Sequence, residues 1–194
     1  MIKRIFDLIS SSIVLVLLTP LLFLISLLII LDSKGGPFYI QVRIGQNGIP
    51  FGLYKFRSMR IDTEGLKITV GKDPRITKIG SIIRKYKLDE LPQLINIIKG
   101  EMSVVGPRPE TPNYVELYSE EQKKVLKVKP GLTDYASLYY IDESRILSER
   151  DNPEKAYIEE VMPAKLMLNQ KYIQDASFWI DMKIIFITLF KILR

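Results

Sequence analysis

The stretch that decides the placement of this chain is Leu8–Leu31, LISSSIVLVLLTPLLFLISLLIIL, which holds 24 residues without a charged side chain. At about 1.5 Å per residue, a straight helix of this length reaches roughly 36 Å, which exceeds the roughly 30 Å hydrocarbon core of a bilayer. The segment is too long for a secretory signal peptide. Because it is apolar on all sides, it is also a poor candidate for a helix buried in a soluble core. The length therefore predicts a helix inserted in a membrane.

Two features of this segment argue against a simple crossing. Thr19-Pro20 lies at its middle, where a proline removes one helical hydrogen bond and bends the helix. Lys3 and Arg4 precede the segment and Lys34 follows it, and basic residues on both flanks favour the cytoplasmic side for both ends. These residues leave two alternatives open: a kinked spanning helix, and a helix-break-helix that enters one leaflet and returns.

The composition limits the chemistry that this chain can perform. Its 194 residues are typical of one domain, and the 47% of apolar residues suffices for a hydrophobic core. The absence of His and Cys excludes imidazole bases, disulfides, thiolate nucleophiles and cysteine zinc sites. Catalysis would have to use carboxylates, hydroxyls, Lys, Arg and a hard cation with oxygen ligands.

Positive charge is concentrated in the first half of the chain. The net charge is +6, and residues 34–108 alone hold 14 basic and 6 acidic side chains. Such an excess predicts an anionic partner, which is nucleic acid, a phosphorylated small molecule or lipid headgroups. Composition does not choose among these three.

Residues 37–57 predict a β-hairpin that turns at Asn47-Gly48. Lys55 and Arg57 alternate on one face of its second strand. Two interpretations of this pair are open, a phosphate-facing pair and solvated strand charges.

Residues 178–194 predict a helix at the membrane surface. One Trp, many bulky apolar residues and flanking cations are typical of a helix in the interface. Asp181, Lys183 and Lys191 interrupt the segment too often for a crossing. A core helix of the globular domain explains the pattern equally well.

An acidic pair, Asp89-Glu90, lies at the start of a predicted helix. Asp89 fits the N-cap position and Pro92 the first turn, so the pair has a purely structural interpretation as a cap that complements the helix dipole. An ionised Asp is also a competent nucleophile toward phosphorus, provided that a divalent cation and Arg or Lys screen the repulsion. Arg108, held between two prolines in a rigid turn, suits a fork-shaped phosphate donor.

Five short motifs follow one another along the chain: Thr-Pro at 19–20, KFRSM at 55–59, LDELPQ at 88–93, GPRP at 106–109 and PGLT at 130–133. In this order they resemble the bacterial sugar transferases, the monotopic polyprenol-phosphate phosphoglycosyl transferases. The resemblance covers essentially the whole chain.

The resemblance implies a reaction and its partners. Members of that family transfer a sugar-1-phosphate from a nucleotide sugar, usually a UDP-sugar, to undecaprenyl phosphate, and UMP and an undecaprenyl-diphosphate sugar are the products. This is the first membrane step of bacterial surface polysaccharide or glycoconjugate synthesis, such as that of capsule or O-antigen. The expected partners are the two substrates, membrane phospholipids and downstream glycosyltransferases, but no nucleic acid. Both a monomer and a homodimer stay open.

The resemblance also implies the site residues. Asp89 is expected to be the nucleophile that forms a covalent phosphosugar intermediate, with Glu90 as its acid/base partner and a Mg²⁺ ion at Asp89. Five further residues are expected near substrate, phosphates or lipid headgroups: Lys55, Arg57, Arg84, Arg108 and Asp181.

The fold implied by the resemblance is a mostly helical α+β membrane-associated domain with one small β-hairpin and interfacial amphipathic helices. Residues 1–34 are expected to form a re-entrant membrane helix broken at Thr19-Pro20. Residues 35–194 would form a catalytic domain at the surface of the bacterial cytoplasmic (inner) membrane, facing the cytoplasm.

Three positions depart from the family pattern. Thr19 replaces the commoner Ser, Asn169 stands where many members carry Asp, and Asp134 stands where Gly is commoner. The motifs do not reveal the sugar, the glycan pathway or the oligomeric state. Two alternatives to an enzyme stay open: a membrane-anchored basic module that binds nucleic acid or anionic lipid without catalysis, and a scaffold subunit of a polysaccharide export machine.

Overall fold

The structure is a computed structural model that describes residues 2–61, 73–140 and 143–193. Its α-helices are α1 Ile2–Asp32, α2 Lys78–Lys85, α3 Gln93–Lys99, α4 Pro112–Val115, α5 Tyr135–Tyr139, α6 Glu143–Ser148, α7 Pro153–Ala156, α8 Met162–Asp175 and α9 Phe178–Leu193. Its strands are β1 Phe38–Ile44, β2 Pro50–Phe56, β3 Ser103–Val105 and β4 Gly131–Thr133. Short 3₁₀ helices occur at Gln46–Gly48, Leu88–Glu90 and Gln122–Lys127, and a π-helical turn occurs at Tyr157–Val161. The mostly helical α+β class is confirmed.

Helix α1 packs lengthwise on the rest of the chain. Its buried and half-buried side chains recur every three or four residues and form one stripe: Asp7, Ser11, Leu15, Leu18, Leu22, Ile25 and Ile29. The remaining faces expose large apolar side chains such as Val16, Leu17 and Phe23. Among the described residues, α1 is the one helix long and apolar enough to cross a membrane.

The helix is continuous through Thr19 and Pro20, so the expected break at this pair is not an interruption of α1. The Thr19 hydroxyl donates a hydrogen bond to the Leu15 carbonyl oxygen, 2.9 Å away. The proline removes one amide donor without ending the helix.

Polar contacts attach both ends of α1 to the same body. Near its start, Arg4 donates to the last carbonyls of α3, and Asp7 accepts a bond of 2.8 Å from the Ser103 hydroxyl. At its end, the Asp32 carboxylate accepts a bond of 2.9 Å from the Ile79 amide in the first turn of α2. The two ends of the apolar helix therefore lie on one domain.

The predicted β-hairpin is confirmed. Strands β1 and β2 are antiparallel, with Phe38 opposite Phe56 and Ile44 opposite Pro50. The chain reverses where Asn47 (φ 58°) and Gly48 (φ 77°) take left-handed conformations, which these residue types tolerate.

A short parallel pair, β3 with β4, joins two of the motifs. The Gly131 amide donates to the Pro107 carbonyl at 2.9 Å, and the Gly106 amide donates to the Thr133 carbonyl at 3.1 Å. A Cβ atom on Gly131 would lie 2.1 Å from the Gly106 nitrogen, so only glycine fits. The GPRP and PGLT motifs thus meet backbone to backbone.

The interpretation of the C-terminal segment as a core helix is confirmed for one face of α9, and its position at a membrane surface stays a prediction. Ile184 is buried in a core cluster with Val105, Leu138 and Tyr172. The opposite face exposes large aromatic and aliphatic side chains: Trp179, Phe186, Leu189 and Phe190. The rings of Phe178 and Phe6 meet at 5.7 Å, which joins α9 to α1. We call the exposed apolar side chains of α1 and α9 together the apolar face.

Candidate active site

A cleft of about 1510 Å³ runs between α1, the β-hairpin, the Leu88–Glu90 turn and the C-terminal helices. It brings together most of the predicted site residues: Lys55, Arg57, Arg84, Asp89, Glu90 and Arg108. Side chains from α1 and α9 line the same cleft. The cleft is therefore bordered by both basic groups and the two helices of the apolar face.

Asp89 lies in the 3₁₀ turn that precedes α3. Lys87, in a left-handed conformation (φ 55°), leads the chain into this turn, and α3 begins only at Gln93 after Pro92. The expectation that Asp89 caps a helix is therefore wrong, because Asp89 lies inside the 3₁₀ turn, whose N-cap is Lys87, and the N-cap of α3 is Pro92. Its Oδ1 atom is buried and has no hydrogen-bond partner among the described residues.

The surroundings of Asp89 disfavour its charged form. Burial raises the pKa of its carboxyl, and the neighbouring Glu90 carboxylate raises this pKa further. Lys55, Arg84 and Lys87 act in the opposite direction without cancelling the shift. The carboxylate is thus poorly satisfied by the protein and is available to an incoming cation or electrophile.

Glu90, in contrast, is fully paired. Arg108 binds it with both terminal nitrogens, at 2.5 Å and 3.2 Å, and the Lys55 amine lies 3.9 Å from Oε1. Burial alone would raise the pKa of Glu90, but the positive charges of Arg108 and Lys55 outweigh it and hold this pKa well below its ordinary value. Burial lowers the pKa of Lys55 to about 8, against the pull of Glu90.

Arg84 projects from α2 into the cleft. Helix α2 packs closely against the KFRSM segment at Gly80. A Cβ on this residue would lie 2.0 Å from the Ser58 carbonyl oxygen, so the absence of a side chain permits the approach. Thr77 caps this helix by accepting a bond of 2.9 Å from the Gly80 amide. Arg84 forms no salt bridge in the described part of the chain, so its charge remains for an anionic ligand.

Arg57 was expected to bind phosphate, but its guanidinium is bonded to backbone carbonyls of the protein. Although Arg57 lines the cleft, its guanidinium donates to the carbonyl oxygens of Ser33, Lys34 and Gly35 just after α1. Carbonyls at the end of a helix lack helical partners and carry partial negative charge. Arg57 thus fastens the end of α1 to strand β2, and these bonds occupy both terminal nitrogens.

Asp181 lies outside the cleft. Its carboxylate binds the Lys3 amine at 2.5 Å and accepts a bond of 2.6 Å from the Tyr172 hydroxyl. These contacts hold α9 against the start of α1.

Glu110 is a residue of the cleft that sequence reasoning missed. It accepts hydrogen bonds from Arg43, at 2.8 Å, and from the Tyr157 hydroxyl. The Glu110 carbonyl also accepts the Ile44 amide at 2.9 Å, which ties the hairpin to the GPRP turn. Its position directly after that motif was the available signal.

The described residues contain no group of three or more carboxylates that could hold a metal ion. Magnesium often binds through one or two carboxylates together with substrate phosphates. The unpartnered Oδ1 of Asp89 fits such a site, whereas the oxygens of Glu90 are taken by Arg108.

A buried, unpartnered carboxylate that shares a cleft with Lys55, Arg84 and Arg108 is a set of groups that can serve phosphoryl transfer. The chain belongs to the bacterial sugar transferase family, whose model matches residues 1–194.

Named relatives agree with this assignment. The UDP-glucose:undecaprenyl-phosphate glucose-1-phosphate transferase of Escherichia coli (strain K12) is 36% identical over 196 residues, covering 98% of this chain and 40% of that protein. The exopolysaccharide production protein PSS of Rhizobium leguminosarum bv. phaseoli is 39% identical over 197 residues, covering 96% of this chain and 92% of that protein. The uncharacterized sugar transferase EpsL of Bacillus subtilis (strain 168) is 38% identical over 192 residues, covering 98% of this chain and 87% of that protein. The chain thus spans about two fifths of the length of the first of these relatives.

Proposed function

We propose that this chain transfers a sugar-1-phosphate from a UDP-sugar to undecaprenyl phosphate, releasing UMP and forming an undecaprenyl-diphosphate sugar. The names of relatives support the substrate classes, since one is a UDP-glucose:undecaprenyl-phosphate glucose-1-phosphate transferase. The single observation that carries the proposal is the buried Oδ1 of Asp89, which lines the cleft without a partner in the described residues.

In the first half-reaction, an Asp89 carboxylate oxygen attacks the phosphorus that bears the sugar. The new bond joins this oxygen to phosphorus, and the bond to UMP breaks, with the electron pair leaving on UMP. In the second half-reaction, an oxygen of undecaprenyl phosphate attacks the same phosphorus and releases Asp89 as a carboxylate. Lys55, Arg84 and Arg108 offset the repulsion between the anions in both steps.

Glu90 has a holding role in this scheme. Its two bonds to Arg108 and its approach to Lys55 keep both cations in the cleft. Neither half-reaction demands a proton near neutral pH, because a phosphate monoester loses its second proton at about pH 6. The acid/base role that the family resemblance implies would require Arg108 to release the carboxylate.

A Mg²⁺ ion would be held by Asp89 and by substrate phosphates, since this is the coordination that the residues present can offer. When bound, it would reduce the negative charge on the diphosphate of the donor. Lys55 and Arg84 would then bind phosphate oxygens that the cation leaves free.

The packing of α1 supports a position on one side of the membrane. Because α1 lies along the domain over its whole length, a transbilayer orientation would carry the charged cleft into hydrocarbon. With the apolar face in one leaflet, both ends of α1 and the cleft would stay at the headgroups of the cytoplasmic side. There the cleft can reach a lipid phosphate and a soluble nucleotide sugar.

The activity is tested by measuring UMP release from a panel of UDP-sugars by the full chain in nanodiscs that contain undecaprenyl phosphate. Wild type should release UMP with at least one donor, and Asp89→Asn should release none. No release from any donor, together with steeply salt-dependent binding of nucleic acid, would instead favour the non-catalytic basic module.

The topology is tested with single cysteines, because the chain has none. Ile2→Cys lies at an exposed position, and a Cβ on Gly36 meets nothing within 4 Å, which makes Gly36→Cys a mild change at the other end of α1. A membrane-impermeant maleimide should label both from the cytoplasmic side. Labelling from opposite sides would contradict this placement.

A further inference from the structure

The part of the cleft between α6 and α8 differs in chemistry from the part around Asp89. We call it the α6–α8 pocket, and its walls are Tyr140, Glu143, Ser144, Tyr157, Lys165 and Asn169. The Lys165 amine lies 2.7 Å from a Glu143 oxygen and 5.5 Å from the centre of the Tyr157 ring. Because Lys165 and Glu143 neutralise each other, the pocket suits a neutral polar ligand with a face that can lie on a ring.

Asn169 carries the clearest sign of a ligand in this pocket. It follows Lys165 by one turn of α8 and is only 4% exposed. Its Oδ1 atom is buried without a hydrogen-bond partner in the described ranges. Buried side-chain oxygens nearly always have a partner, so an unpartnered one on the wall of a cleft indicates a missing hydrogen-bond donor.

The pocket adjoins the phosphate-binding part of the cleft. Glu90 is the main cause of the raised pKa of Arg108, but the carboxylates of Asp134 and Glu143 raise this pKa as well. The field of Glu143, on the pocket wall, therefore reaches the guanidinium that holds Glu90. Asp89 and the walls of the α6–α8 pocket also line one continuous cleft, so a ligand with its phosphate at Asp89 can extend toward the pocket.

We infer that the α6–α8 pocket binds the sugar of the donor, and that Asn169 Oδ1 accepts a hydrogen bond from a sugar hydroxyl or N-acetyl group. This inference rests on the proposed function. UMP and the lipid phosphate are both anionic and suit the basic walls around Asp89. The sugar is neutral, and it stays in the site through both half-reactions, so it needs a pocket of its own.

The test compares Asn169→Leu with wild type, using the full chain in nanodiscs with undecaprenyl phosphate. The donors are UDP-glucose, UDP-galactose and their N-acetylamino counterparts, and the inhibition constant of UMP is measured in parallel. Gln170→Leu is the matched control, since Gln170 is the next residue of α8, bonds to the Glu121 carbonyl and does not line the cleft. Melting curves check the fold, and Asn169→Ser replaces Asn169→Leu should the latter not fold.

For Asn169→Leu, kcat/KM of the preferred donor should fall by about 10–100-fold, since a site built to bond a hydroxyl is left incomplete. The fall should be uneven across the four donors, while UMP inhibition stays within about twofold and Gln170→Leu matches wild type. An equal fall for all donors, no fall, or a matching loss of UMP inhibition would overturn the inference. Absence of UMP release by wild type would refute the proposed function itself.

Discussion

Replacing Asp89 by Asn should abolish turnover and stabilise the protein at the same time. The carboxylate is buried, its Oδ1 has no partner within the described residues, and Glu90 lies beside it. A buried polar atom left unsatisfied costs about 1–3 kcal/mol. Asn removes the charge but keeps a polar atom of similar shape, so we expect a gain near the lower end, about 1 kcal/mol. For a chain of 194 residues this raises the melting midpoint by about 2–4 °C.

The stability gained by Asp89→Asn should depend on pH. The pKa of Asp89 in the folded protein is raised above 3.8, so the folded state holds this proton more tightly than the unfolded chain does. Ionisation therefore destabilises wild type as pH rises through the folded-state pKa. The advantage of Asp89→Asn should be largest at neutral pH and disappear as pH falls toward 3.8.

Glu90→Gln provides the matched control. It leaves Arg108 and Lys55 without their counter-charge, and breaking a buried ion pair is strongly destabilising. With 29% of the Arg108 side chain exposed, we expect a loss of about 2–3 kcal/mol and a midpoint lower by more than about 4 °C. Differential scanning calorimetry in nanodiscs measures both variants. A midpoint that falls for Asp89→Asn would refute the reasoning, because it would make this carboxylate a structural group.

Three further outcomes follow from named contacts. Lys55 loses its charge above pH about 8, so KM for the UDP-sugar should rise through that pH in wild type, and Lys55→Met should show a high KM without this rise. Gly131→Ala places a Cβ 2.1 Å from the Gly106 nitrogen, so it should lower the unfolding free energy by about 1–3 kcal/mol, whereas Gly36→Ala should change nothing, as melting curves can show. Arg57→Met should lower the unfolding free energy by about 1–3 kcal/mol and leave KM for the UDP-sugar within about twofold of wild type. A tenfold rise in KM at unchanged stability would instead indicate that Arg57 binds phosphate.

Features that depend on neighbouring residues were predictable from the sequence. The uncharged run Leu8–Leu31 predicts α1 by its length, and Asn47-Gly48 predicts the hairpin because these residues accept left-handed conformations. The mostly helical α+β class was implied by the family resemblance, and these two elements agree with it.

Partners distant in the chain were not predictable. Strand alternation places Arg57 on a face, but it does not reveal that the carbonyls after α1 occupy its guanidinium. Asp181 likewise forms its salt bridge with Lys3, which is 178 residues away in the sequence. The parallel pairing of β3 with β4 has too few residues for a strand signal, although it brings two glycine motifs into contact.

The site itself was predicted in part. The family resemblance implied Lys55, Arg84, Asp89, Glu90 and Arg108, and the cleft brings these residues together. The capping interpretation of Asp89 was wrong because a 3₁₀ turn precedes α3, a detail that helix propensity does not resolve. The opposite environments of the two adjacent carboxylates depend on Arg108, whose approach to Glu90 is a tertiary contact.

The central claim is that the Asp89 carboxylate carries the phosphosugar between donor and lipid. Intact-mass spectrometry of the purified chain, incubated with its UDP-sugar and Mg²⁺ but no lipid acceptor, tests this directly. Wild type should gain the mass of one phosphosugar, lose it when undecaprenyl phosphate is added, and show no gain after Asp89→Ala. Full turnover in the presence of acceptor, with no adduct at any time in its absence, would contradict the account and indicate direct transfer in a ternary complex.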